Sequence, residues 1–159
     1  MKRLLGLVIA FLVGVGGYVA YTSPTLPLGA TGAATSAPVL LSPVGAACRL
    51  DQGACWVAMA DQQARLSLSP LPVPTLKPVH LSASLTGFGV VHSVSVVVDG
   101  VEMSMGFQQA QLAMVGGDVW QGTFTLPICT NASMLWQAKL DIQAEAGHYQ
   151  AVVPFVTTH

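Results

Sequence analysis

The sequence predicts an all-β fold, a small antiparallel sandwich preceded by one N-terminal membrane-spanning helix. Three observations carry the prediction. After residue 21, apolar side chains recur at a spacing of two in short runs. Gly, Pro, Asp and Asn separate those runs at regular intervals, and no run repeats at the helical spacing. Ahead of them stands LLGLVIAFLVGVGGYVAY, residues 4 to 21, which is 18 consecutive residues without a charge or a strongly polar side chain. About 20 such residues cross a bilayer core.

Taken in order, Lys2 and Arg3 precede the apolar segment and no basic residue follows until Arg49, which predicts a cytoplasmic N-terminus and an exported remainder. A cleaved signal peptide is the competing reading. The long apolar core, and the lack of well-placed small residues in YVAYTSP, favour a retained anchor over residues 1–21. Residues 22–47, TSPTLPLGATGAATSAPVLLSPVGAA, hold four prolines, no charge and no sustained period, and read as a tether. The exported domain is then 48–159. The expected location is the bacterial inner membrane, with this domain in the periplasm.

Within the domain, ARLSLS (64–69) alternates, and the Pro-rich step 70–78 excludes a helix or a central strand. VHLSASL sets Val79, Leu81, Ala83 and Leu85 on one face, with His80, Ser82 and Ser84 on the other. Asp99-Gly100, between β-branched runs, predicts a tight hairpin turn. GFQQAQLAM and VWQGTFTL flank a Gly116-Gly117-Asp118 turn. The clearest one-sided strand has Met134, Trp136, Ala138, Leu140 and Ile142 in phase, and the last has Tyr149, Ala151, Val153 and Phe155. Seven or eight such strands predict an immunoglobulin-like sandwich.

Composition excludes some functions. The chain is 52% hydrophobic and 8% charged. Setting Lys2 and Arg3 aside, four basic residues (Arg49, Arg65, Lys77, Lys139) face seven acidic ones, a formal charge of −3 with no basic patch for nucleic acid. No nucleophile elbow, zinc-protease helix or Gly-rich phosphate loop occurs, so the expectation is no enzymatic activity.

Three cysteines are present, Cys48, Cys55 and Cys129. The C-x6-C spacing is neither a redox C-x-x-C nor a zinc pair. In an oxidising compartment a Cys48–Cys55 disulfide would close a small loop, helped by Gly53. Cys55 with Cys129 is an alternative pairing. Cys129, beside Ile128, otherwise reads as a small buried hydrophobe.

Met103-Ser104-Met105 is the chemically suggestive cluster. On a strand both thioethers would share a face, and soft sulfur suits Cu(I), with His80, His92 or Cys129 as further ligands. Core packing is the competing reading for Met103 and Met105, as for Met59, Met114 and Met134. Trp56, Trp120 and Trp136 read as core residues, His80 as solvent-facing and His92 as a rim residue.

From about Leu66 to Thr157 the order VHLSASLTG, SVSVVVDGVEMSMG, GGDVWQGTFTLP, SMLWQAKLDIQAEAG and a final Phe strand resembles the exported domain of the FixH and YtkA-like group. The resemblance implies an anchor with a small immunoglobulin-like domain outside. It also implies a non-catalytic role assisting a membrane copper oxidase or handling copper, and Met103 and Met105 match that pattern's Met-containing segment. The expected partners are therefore the membrane, through the anchor, and an integral membrane complex.

Overall fold

The computed structural model describes residues 37–45 and 48–158. The predicted anchor, 1–21, and most of the predicted tether lie outside the described residues. Among the described residues no helix is long and apolar enough to cross a membrane.

The described chain forms nine strands: β1 (Val39–Pro43), β2 (Cys55–Met59), β3 (Gln62–Ser69), β4 (Pro78–Thr86), β5 (Val91–Gly100), β6 (Phe107–Gly116), β7 (Val119–Thr125), β8 (Ser133–Ala144) and β9 (Gly147–Thr158). Their order is β1-β2-β3-β4-β7-β6-β5-β8-β9, and β9 returns to β1, so the sheet closes. Every pairing is antiparallel except β1–β9, which is parallel. The sequence predicts a wholly antiparallel sandwich of seven or eight strands. The added strands are the short β1 and β2.

Closure depends on two strands that divide their pairing. β1 pairs with β9 through Val39, Leu40 and Leu41, then with β2 through Ser42 and Pro43. β6 pairs with β5 from Phe107 to Leu112 and with β7 at Ala113, Met114 and Gly116. Each joins the β2–β3–β4–β7 half to the β5–β8–β9 half and leaves fewer open edges.

The folded unit thus begins ahead of the predicted boundary at Cys48. Val39 to Pro43 falls in the segment read as tether, yet it is a strand and buries Leu41 at 1% exposure. Five residues are too few to display a period, and the parallel partner lies more than a hundred residues away in sequence.

The alternating runs fold as their pattern predicts. The inward rows of β4 and β8, together with Tyr149, Ala151, Val153 and Phe155 of β9, are all buried. Trp136 stacks on Phe155 at 6.5 Å and 15°, and its Nε1–H donates to Thr157 Oγ1 at 3.0 Å inside the core. Thr157 is the buried polar side chain of this core, and it satisfies a donor that would otherwise be stranded.

Three expectations are corrected. Asp99-Gly100 is no hairpin turn: β5 continues through it, Gly100 sits opposite Trp136, and residues 101–106 make the connection, with Gly106 at φ +78°. Asp99 is engaged across the sheet by Lys139 at 2.9 Å, and a Cβ on Gly100 would collide with Met134 and the Met103 carbonyl. The glycine therefore serves close approach within the sheet rather than a turn. Second, Trp120 and Trp136 are buried but Trp56 points outward at 48% exposure, with the Arg65 guanidinium 5.7 Å from its ring. Third, Met134 is a core residue, whereas Met59, Met103 and Met114 are exposed.

Replacing Thr157 by Val keeps the volume but strands the Trp136 Nε1–H. We expect a loss of about 1–3 kcal/mol in urea unfolding at unchanged m-value. An unchanged midpoint would show that the indole finds another acceptor.

Candidate functional site

The Cys48–Cys55 disulfide is formed, with Cα atoms 5.2 Å apart, and Cys129 is free and buried. The stapled loop has a definite task. β1 leaves β9 after Leu41, opposite Ala151, and beyond that point β9 would present bare backbone on that side. The loop fills this edge. Leu50, fully buried, donates its N–H to the Pro154 carbonyl at 3.0 Å, and Asp51 Oδ1 accepts the Val156 N–H at 2.9 Å. Arg49 grips the same carboxylate through Nε at 3.2 Å and Nη2 at 2.7 Å. Pro154, which has no N–H to donate, fits an edge position.

The five residues predicted as metal ligands divide. Register puts the 101–106 connection, the 126–132 segment and the first residues of β4 at one end of the closed sheet, since Gly100 faces Trp136 and Pro78 faces Thr125. Met103 and Met105 lie in the first of these and Cys129 in the second, while His80 lies early in β4. His92 stands at the opposite end of β5. Eight residues at about 3.3 Å each put it roughly 26 Å from Gly100, too far to share an ion with the methionines.

The remaining four present themselves differently. Met103 is exposed at 42%, Met105 is half-buried against the core, and Cys129 is 6% exposed. His80 faces outward from β4, with Nδ1 3.0 Å from Thr123 Oγ1. The two methionines do not share a strand face, because β5 ends at Gly100 and they fall in a loop. Among the described residues no group of three or more His, Cys, Asp or Glu is arranged to hold a metal ion.

The main polar constellation was not singled out from sequence. Asp141, on the outward face of β8, accepts from His148 Nε2 at 2.6 Å, Gln150 Nε2 at 2.9 Å and Gln143 Nε2 at 3.2 Å. Cross-strand register creates the set: Ile142 pairs with Tyr149, which puts His148 opposite Gln143 and Gln150 opposite Asp141. Next to it Lys139 bonds Asp99. The available signal was the alternation of β8 and β9, which gives the facing side chains once the hairpin register is known. A groove of about 360 Å³ runs beside these residues over β5, β8 and β9.

Two carboxyls titrate below their ordinary value of 3.8. Burial pushes Asp141 upward, but the donors Gln150, His148 and Gln143 more than offset it. For Asp51, burial is likewise overcome by Arg49 and the Val156 N–H.

No family model, curated protein or solved structure matches this chain.

Because Asp51 and Asp141 have lowered pKa values in the folded state, their contribution is fully present above about pH 4 and lost as pH falls through the folded values. Urea midpoints taken from about pH 7 down to about pH 2 should therefore fall in acid, and Asp141→Asn should flatten the fall. A midpoint independent of pH would contradict both assignments.

Proposed function

We propose that the chain is a membrane-anchored, non-catalytic accessory protein of the bacterial inner membrane. Its β domain stands in the periplasm and assists a membrane or respiratory copper-oxidase complex by binding it. The carrying observation is the Cys48–Cys55 disulfide within a folded unit that follows an 18-residue apolar segment. Disulfides persist in exported proteins, and a chain with this N-terminal segment has a route out.

The pairing order supports the immunoglobulin-like reading. β4 pairs with β7 and β5 with β8, so strands distant in sequence are neighbours in two facing halves. The order of elements that resembles the FixH and YtkA-like group spans β3 to β9. Anchoring supports partner binding because it confines the domain near integral membrane proteins and raises its effective concentration there. The end carrying residues 101–106 and 126–132 exposes Phe107 at 65%, Ile128 at 57% and Val101 at 50%, an apolar rim suited to such a contact. Pull-down of the full chain from solubilised membranes should recover an integral membrane complex, and the Phe107→Asp, Ile128→Asp double variant should lose it. Recovery of no integral partner, or equal recovery by the variant, counts against this reading.

A second reading, a copper-handling module, is favoured by one observation: Met103 and Met105 share a loop at the same end as Cys129 and His80. His92 drops out of that ligand set. Replacing both methionines with Leu conserves volume and should spare stability while weakening Cu(I) binding, read by titration against a competing chelator. Unchanged affinity would eliminate the methionines as ligands.

A further inference from the structure

The outward side chains of β6, β5, β8 and β9 stand in cross-strand rows. One row holds Ser95, Asp141 and Gln150, and the next holds Gln109, Val97, Lys139 and Val152. The 360 Å³ groove lies along these two rows, with the backbone of Leu140 and Ala151 at its floor. We propose that this groove binds a neutral polyhydroxylated ring, one sugar residue of a glycan.

The volume falls at the small end of ligand sites, which run from about 300 to 1,000 Å³. The chemistry of the lining selects the class. Its formal charges, Lys139 and Asp141, cancel, so neither a strong anion nor a strong cation is favoured. A hydroxyl both donates and accepts, and the groove offers each complement: an ammonium that donates, a carboxylate that accepts, and amides and a hydroxyl that do both. Lys139 and Asp141 are two residues apart on one strand and so project side by side. Neighbouring hydroxyls on one ring can engage both. Val97 and Val152 flank Lys139 and supply apolar contact for the C–H face of the ring.

These groups are also held in place before any ligand arrives. Asp99 fixes Lys139 through one of its three ammonium hydrogens, leaving two. His148, Gln150 and Gln143 occupy three of about four acceptor positions on Asp141, leaving one. Preset side chains reduce the ordering cost of binding. The inference goes beyond the accessory role and depends on neither the anchor nor copper.

The test is calorimetric titration of the full chain, held in a detergent without a sugar headgroup, with maltotriose, cellotriose and chitotriose, and with glycine betaine as a zwitterionic control that carries no hydroxyl. Saturable binding of at least one trisaccharide is expected, with Kd on the order of 1 mM or tighter, and no response to betaine. Lys139→Met and Gln109→Ala should each weaken binding about tenfold, while Arg65→Gln on the opposite half leaves it unchanged. Absence of saturable binding by all three sugars overturns the proposal. So does betaine binding, or a Kd that neither groove variant changes.

Discussion

Closing a sheet reduces the strand edge left without a partner, and this constraint organises the molecule. Backbone N–H and C=O groups left bare are both a free-energy penalty and an invitation to aggregate. Here two strands divide their pairing, β1 between β9 and β2, and β6 between β5 and β7. That division leaves the far half of β9 uncovered, and a loop takes the place of a strand there. Leu50 supplies a backbone donor, and Asp51 supplies a carboxylate acceptor for Val156. The Cys48–Cys55 disulfide holds this loop by limiting the conformations of its short segment in the unfolded chain. The staple is thus connected with edge protection, and its chemistry is structural.

β8 is where the structure is most densely tied, and its two faces serve different purposes. Inward, Met134, Trp136, Ala138, Leu140 and Ile142 are all buried, and the one polar demand, the indole N–H, is met by Thr157. Outward, Lys139 and Asp141 carry paired charges. Lys139 with Asp99 is partly exposed and is worth about 0–1 kcal/mol, so its contribution lies in orientation rather than stability. The Lys139–Asp99 pair can therefore serve recognition with little consequence for folding, whereas the Asp141 network also contributes stability at neutral pH.

Much of this was legible beforehand because it is local. Alternation in β4, β8 and β9 identifies inward residues before any pairing is known, since a strand side chain changes face at every step. The Pro-rich step before β4 and the Gly116-Gly117-Asp118 turn are equally local, and so is the short spacing that brings Cys48 within reach of Cys55. The formal charge of −3 once Lys2 and Arg3 are set aside, and the long apolar N-terminal segment, are properties of composition alone.

What tertiary structure decided are the features whose cause lies far along the chain. Val39 to Pro43 is a strand because β9 lies beside it, and no property of those five residues distinguishes them from tether. Asp99-Gly100 has the composition of a turn, yet Lys139 and the crowding of Met134 against Gly100 keep it extended. That one change moved Met103 and Met105 from a strand face into a loop and left His92 at the other end of β5. Trp56 faces solvent because Cys55 and Val57 on either side of it point inward, a phase that needs the β2 pairing to be known. The Asp141 network exists only through the register of β8 with β9. Periodicity is written residue by residue, whereas register is a relation between strands, and only the folded chain supplies the second partner.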